Sequence, residues 1–293
     1  MTIKQEHMRY LLISTDHLTD DLLFRDNEDF RAGMNYTAVV SHVLDVHPLA
    51  FILMSNHVHY IQYTSKEMAK TYMDRLKQLY GRYFQNKYGI NEFLRKQRLD
   101  IRELKMEDES LHRGIAYLQM NCVAANITPH PSLYSWGTGS CFFQEARTRG
   151  TPLSDFSRRK AIRLLHSNIR LPGNYRIGED GYILPESYVP VQWVESLFRS
   201  ARRYSYFLNT SSKARLRIEK DAAPAFRDQV ILEAMTDLCH SLYRCHSPRD
   251  LDRKQNADLL RQLYRRFNPD VNQLARVTGT PYSEIAASLD DFE

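Results

Sequence analysis

Two histidines flank one apolar residue in Asn56-His57-Val58-His59, directly after the apolar run Pro48-Leu49-Ala50-Phe51-Ile52-Leu53-Met54. The run has the length and composition of a buried strand. Side chains alternate along a strand, so His57 and His59 share a face while Val58 turns into the core. Two imidazoles on one face, about 7 Å apart along the backbone, can close on one divalent ion. Tyr117 and Asn121 stand four residues apart in a helical stretch, which puts a phenol and an amide oxygen on one helix face. Imidazoles plus an amide oxygen form a mixed nitrogen–oxygen ligand set, with positions left for phosphate oxygens and water. Mg2+ or Mn2+ suits such a set in phosphoryl transfer, and the ligands alone do not exclude zinc. The ion would polarise a scissile phosphate while Tyr117 attacks phosphorus. A tyrosine with the ordinary pKa of about 10 needs a site that helps to deprotonate it or to stabilise charge in flight.

These residues must be positioned by a scaffold, and its elements can be read in order. Residues from about Met8 to Ser14 read as a strand. Asn27-Glu28-Asp29 opens a helix carrying Phe30, Met34, Val39, Val40 and Val43 at near-helical spacing. The apolar strand and the histidine segment follow, with Tyr60-Ile61-Gln62-Tyr63 continuing extended. A long helix is expected from Ser65 through Met68, Tyr72, Leu76, Leu79, Tyr80 and Tyr83 to a break at Gly89. Arg98-Leu99-Asp100-Ile101-Arg102-Glu103-Leu104 alternates as a strand. Asp108-Glu109-Ser110 then caps a helix through Ile115, Tyr117, Leu118 and Val123, stopped by Thr128-Pro129. This order predicts an α+β domain, an antiparallel or mixed sheet with helices packed on it. His130-Pro131-Ser132-Leu133-Tyr134-Ser135-Trp136-Gly137 reads as its irregular closing segment.

Met54-Ser55-Asn56-His57-Val58-His59-Tyr60-Ile61 resembles the histidine–hydrophobe–histidine signature of single-tyrosine transposases. The nearest resemblance is to REP-associated tyrosine transposases, which usually carry Pro or a similar residue where Ser55 stands. Leu23-Phe24-Arg25-Asp26-Asn27-Glu28-Asp29-Phe30 resembles the stretch leading into that family's first helix. Arg82-Tyr83-Phe84-Gln85-Asn86-Lys87-Tyr88-Gly89 resembles its aromatic–basic helix end, and Tyr117-Leu118-Gln119-Met120-Asn121 its Tyr-x-x-x-Asn element. The resemblance covers roughly residues 8 to 145. It implies a ferredoxin-like domain that cuts single-stranded DNA, with Tyr117 as nucleophile and His57, His59 and Asn121 as metal ligands. It also implies a 5′-phosphotyrosine link, a free 3′ hydroxyl and recognition of hairpin-forming palindromes such as REP elements. Cys122 stands where the family commonly has Pro, so the helix is expected to continue past Asn121. Phe93-Leu94-Arg95-Lys96 departs from a usual Trp-containing pattern.

The 293-residue chain is long enough for more than one domain, with 43% hydrophobic and 26% charged residues, an ordinary globular composition. Its net charge of +5 fits a nucleic-acid partner without demanding one. Four cysteines without Cys-x-x-Cys spacing point to a reduced cytoplasmic setting, nucleoid-associated if DNA is the partner, and away from a structural zinc site. No signal peptide or membrane span is expected. Composition shifts near Gly150-Thr151-Pro152, read as a linker. The expected division is a transposase-like nuclease domain over 1–148, a basic, mostly helical extension over 149–255, and a helix-turn-helix-like module over 256–293. In that module the helix after Thr280 takes the reading position. Candidate DNA contacts are Arg82, Lys87, Arg95, Lys96, Arg199, Arg202, Arg203, Arg276 and Tyr282. The functional expectation is a transposase-like endonuclease and strand transferase acting on single-stranded or hairpin DNA; a homodimer stays open. The alternatives are a non-catalytic DNA-binding protein on the same fold, and a metal-dependent hydrolase that uses water.

Overall fold

A computed structural model describes residues 7–15, 21–90, 98–144, 150–211 and 226–290. Its first part runs β1 (Arg9–Thr15), α1 (Asn27–Leu44), β2 (Pro48–Met54), β3 (His57–Thr64), α2 (Lys66–Tyr88), β4 (Leu99–Leu104) and α3 (Ser110–Gln119). The four strands form one antiparallel sheet in the order β2-β3-β1-β4. A βαββαβ run in that order is the ferredoxin-like arrangement. β2 and β3 are buried almost throughout, because helices cover both faces of the sheet and the closing segment covers the outer edge of β2.

The helix boundaries follow capping chemistry. The Asp26 carboxylate accepts from Asp29 N to start α1, and Ser65 Oγ accepts from Met68 N to start α2. Gly89, at φ 70°, ends α2 in the left-handed conformation that glycine adopts without strain. Tyr60 reaches α1 and α2, bonding Thr37 Oγ1 at 2.8 Å and packing its ring on Tyr72. Alternate residues of β3 face the other way, where α3 covers Ile61 and β4's Leu104 through Gly114. The sheet is therefore clad by α1 and α2 on one face and α3 on the other.

α3 ends at Gln119, short of the continuous helix expected through Asn121 and up to Thr128-Pro129. Met120 adopts φ −78°, ψ 0°, and only one further turn follows, α4 (Asn121–Ala124). Asn121 is the cause. Its Nδ2 donates to the carbonyls of Tyr117 and Leu118 at 3.1 and 3.0 Å. Those are the oxygens that the backbone N–H groups of residues 121 and 122 would take in an uninterrupted helix.

The closing segment is irregular, as expected, yet it is part of the core. Leu53 N donates to Trp136 O at 2.8 Å, and Gly137 bridges to Ile52 along the outer edge of β2. A Cβ at Gly137 would meet Phe51 O at 2.6 Å, so no larger residue fits that approach. Beyond it, the stretch read as a linker is a strand. β5 (Thr151–Pro152) pairs with β6 (Arg176–Ile177); α5 (Arg158–Leu165) lies between them in the chain, and α6 (Val191–Phe198) and α7 (Ala201–Thr210) follow.

Buried apolar side chains fall into two clusters. The first runs from Leu11 to Leu208, so α6 and α7 share a core with the sheet. The second spans Ile231 to Ile285 and is built by α8 (Asp228–Leu238), α9 (Arg253–Phe267), α10 (Val271–Thr278) and α11 (Tyr282–Asp290). These clusters run across both expected boundaries, at 148/149 and 255/256. α10 and α11, joined through Gly279, form the expected pair of short helices. Among the described residues no helix is long and apolar enough to cross a membrane.

A buried carboxylate ties α1 to the end of α2. Asp29, fully buried, accepts from Tyr83 Oη and Lys87 Nζ through one oxygen, and from Arg25 N and Tyr88 Oη through the other, all at 2.8–2.9 Å. Burial alone would lower the pKa of the Lys87 ammonium, but the hydrogen bonds it donates to Asp26, Glu28 and Asp29 raise it instead. The cation is thus retained well beyond neutral pH. Asp29→Ala leaves Lys87 and two phenols without their shared acceptor. Urea denaturation should show a loss of about 3–5 kcal/mol, the scale of breaking a buried charge pair. A loss below about 1 kcal/mol would mean that water or Glu28 replaces Asp29.

Candidate active site on the helix-covered face of the sheet

The site begins with strand register. β2 and β3 are joined by Ser55-Asn56, pairing Met54 with His57 and Ile52 with His59. On the other side of β3, Ser14 of β1 pairs with His59. His57, His59, Ile61 and Tyr63 therefore face α3, while Val58 and Tyr60 face α1 and α2. The expected sharing of a face by the two histidines and the inward turn of Val58 both describe this sheet.

Both rings are buried, with 5% of His57 and 4% of His59 exposed, and their centroids lie 4.8 Å apart at 81°. Each has its Nδ1 engaged by a neighbouring oxygen. Asn56 Oδ1 lies 2.8 Å from His57 Nδ1, and Ser14 Oγ lies 2.7 Å from His59 Nδ1. The amide oxygen of Asn56 can only accept, so His57 carries a proton on Nδ1. An oxygen holding the second ring nitrogen is the arrangement that orients a ligating imidazole.

Tyr117 sits at the C-terminal end of α3, half-buried, with its ring 6.3 Å from that of His59. Asn121 follows on α4, 4% exposed. Because both amide hydrogens go to helix carbonyls, its Oδ1 is the atom left to serve as a ligand. Cys122 beside it is an apolar filler whose thiol pKa burial pushes up to about 11. The structure thus sets His57 beside His59 and Tyr117 beside His59, with Asn121 following four residues after Tyr117 and bonded to its carbonyl. Among the described residues no group of three His, Cys, Asp or Glu gathers to hold an ion. A metal here would draw its remaining ligands from amide, water or phosphate oxygens.

The hairpin carrying the histidines is pinned from several sides. Ser55 O accepts from Leu23 N and Phe24 N at 2.7 and 3.0 Å. Ser55 Oγ donates to Asp228 Oδ2 at 2.5 Å, and Gln229 Nε2 donates to Phe24 O at 2.7 Å. The first turn of α8, part of the second cluster, is therefore fastened beside the histidine strand.

The candidate DNA contacts scatter. Lys87 is held by Asp26, Glu28 and Asp29, Arg203 by Glu109 at 2.9 Å, and Arg276 by Asp228 at 3.4 Å. Arg82, Arg199, Arg202 and Tyr282 are exposed. Arg95 and Lys96 lie outside the described residues. α11, the expected reading helix, carries Glu284 and Asp290 and no Lys or Arg. The sequence reading missed Ser14, whose role exists only through the register that sets it opposite His59, and Asp228, more than 170 residues from the serine it holds.

No protein-family model matches the sequence, and neither does any curated protein. A solved structure described as a REP-associated tyrosine transposase bound to a REP hairpin is similar to 60% of this chain and to 99% of its own. Identity is 11% and the TM-score 0.36. A likeness that distant carries no function across, and the fold assignment rests on strand order and register.

The role given to the Asn121 amide predicts an order of stabilities. Asn121→Ala removes two hydrogen bonds and should cost about 1–2 kcal/mol in urea denaturation. Asn121→Asp sets carboxylate oxygens against the same two carbonyls, so above the usual aspartate pKa it should be less stable than Asn121→Ala. Equal or reversed stabilities would show that the amide does not face Tyr117 O and Leu118 O.

Proposed function

We propose that this chain is a metal-dependent, transposase-like endonuclease and strand transferase acting on single-stranded or hairpin DNA, with Tyr117 as nucleophile. The observation that carries this reading is the closeness of a half-buried tyrosine to two buried histidines, each with its Nδ1 already engaged. A tyrosine meant only for packing has no need of that neighbourhood. The sequence resemblance to REP-associated tyrosine transposases favours the same reading.

His57 and His59, through Nε2, and Asn121, through Oδ1, would hold a divalent ion. The donor set fits one: two oriented imidazoles and an amide oxygen, favouring Mn2+ over Mg2+ by the preference of nitrogen ligands. When bound, the ion supplies positive charge to the phosphate and the departing oxygen. Tyr117 Oη forms the new bond to phosphorus as the P–O3′ bond breaks, and its proton is lost to solvent. The 3′ oxygen leaves and takes up a proton, and the 5′ end stays esterified to Tyr117. The ester preserves the bond energy, so a 3′ hydroxyl can reverse the step and join strands without a nucleotide cofactor. The catalytic residues fall within 1–148. Arg82, Arg199 and Arg202 are the proposed phosphate contacts, since Lys87, Arg203 and Arg276 already hold carboxylates.

Incubation of single-stranded hairpin DNA with the protein and Mn2+ should give a covalent adduct on a denaturing gel. Tyr117→Phe should abolish it. His57→Ala and His59→Ala should reduce it at least 100-fold while leaving hairpin affinity within a few-fold. Cleavage without an adduct would replace tyrosine attack by water attack, and binding without cleavage would leave a non-catalytic DNA-binding protein.

A further inference from the structure

A second feature on the α3-covered face has no part in the chemistry above. Tyr63 lies on the same side of β3 as His57 and His59, four residues beyond the second, about 13 Å along the strand. It pairs with Tyr10 of β1, and their ring centroids are 4.7 Å apart. Tyr10 in turn stacks on Trp193 of α6 at 5.9 Å and 23°. Tyr63 and Trp193 are 48% and 38% exposed, large apolar surfaces to leave in water. The three rings form a continuous strip at the surface.

The strip opens into a cavity of about 460 Å³, whose lining includes Glu107, Glu109, His112, Trp193, Arg199 and Arg203. Glu107 lies close enough to contribute to the raised pKa of the Tyr10 phenol, behind the larger effects of burial and Tyr63. Glu109 is taken up by Arg203 and Arg113. His112 is 6% exposed, with Nε2 at 3.0 Å from Leu197 O, so Nε2 carries the proton and Nδ1 is an acceptor. That Nδ1 is buried and has no hydrogen-bond partner among the described residues. The cavity thus combines stacking surface, an acceptor at Glu107, and an exposed cation at Arg199. Its position is fixed by α3, which runs from Glu109 at the cavity to Tyr117 at the histidines, about 12 Å along its axis.

We propose that the Tyr63–Tyr10–Trp193 strip and the adjoining cavity bind unpaired bases of a DNA single strand, preferring bases that present an exocyclic amine. Aromatic faces stack on any base, and an arginine beside them meets the backbone. Acceptors select among bases. Cytosine offers N4–H2 and adenine N6–H2 to a carboxylate, whereas thymine presents O4 at the corresponding place. Glu109 is already taken up by Arg203 and Arg113, so the Glu107 carboxylate is the group that favours recognition of the base edge over a phosphate. The proposal rests on the reading of the chain as a single-strand DNA enzyme for its substrate class. It adds where the strand beside the cut is held, and which bases are preferred there.

The test measures binding of the full chain to dC12, dT12 and an abasic 12-mer at pH 8, alongside adduct formation with hairpin DNA. The expected results are dC12 tighter than dT12, and both at least tenfold tighter than the abasic strand. Trp193→Ala and Tyr63→Ala should each weaken dC12 binding about tenfold without affecting the abasic strand. Glu107→Gln should abolish the preference for dC12. Thermal melts check that these surface variants fold. Equal affinity for dC12 and the abasic strand, or dC12 affinity unmoved by both ring variants, overturns the proposal even if the adduct forms. Absence of an adduct together with ring-dependent dC12 binding overturns the catalytic reading and leaves this one standing.

Discussion

A slip of one residue in the pairing of β3 would turn His57 and His59 away from α3 and into the packing between the sheet and α1 and α2. Everything proposed for the site depends on that register. It is held from the opposite face, where Tyr60 is fully buried, stacks on Phe51 and bonds Thr37 Oγ1. A slipped strand would leave the Tyr60 hydroxyl without its acceptor, at a cost of about 1–3 kcal/mol, and would bury two imidazoles in its place. The core side of β3 thus sets the geometry of the side that carries the chemistry.

The hairpin tip is the other fixed point. Ser55 receives N–H groups from Leu23 and Phe24, the stretch leading into α1, and gives its hydroxyl to Asp228 at the start of α8. The same Asp228 accepts from Gln273 at 2.9 Å and pairs with Arg276 of α10. A chain of buried polar contacts therefore joins the C-terminal helices to the histidine strand. Asp29, with its phenols and ammonium, secures the start of α1 and hence the Leu23–Phe24 segment that the tip rests on. These polar groups are buried or half-buried and hydrogen-bonded, which favours one arrangement over its alternatives.

Much of this was legible in the sequence where local chemistry decides. Asp26, Ser65 and Gly89 cap their helices through side-chain oxygens and a left-handed glycine, signals that need no tertiary partner. The alternation around Val58 placed both histidines correctly. The end of α3 was misread because Asn121 competes for carbonyls within its own helix, an effect that depends on rotamer rather than residue type. Lys87 looked like a phosphate contact because Asp26, Glu28 and Asp29 lie some 60 positions earlier and meet it only after α1 packs on α2. Val191, Val194 and Phe198 join the first core through packing that no local pattern announces. Ser14 and Asp228 act through register and docking, and neither is written in local pattern.

Whether Tyr117 is the nucleophile that the histidine pair serves is read from mass spectrometry of the protein–DNA adduct. After nuclease and protease digestion, a residual 5′-phosphonucleotide is expected on the peptide containing Tyr117 and on no other tyrosine. Attachment at a different tyrosine, or a cleaved strand whose 5′ phosphate is bound to no residue, would contradict it.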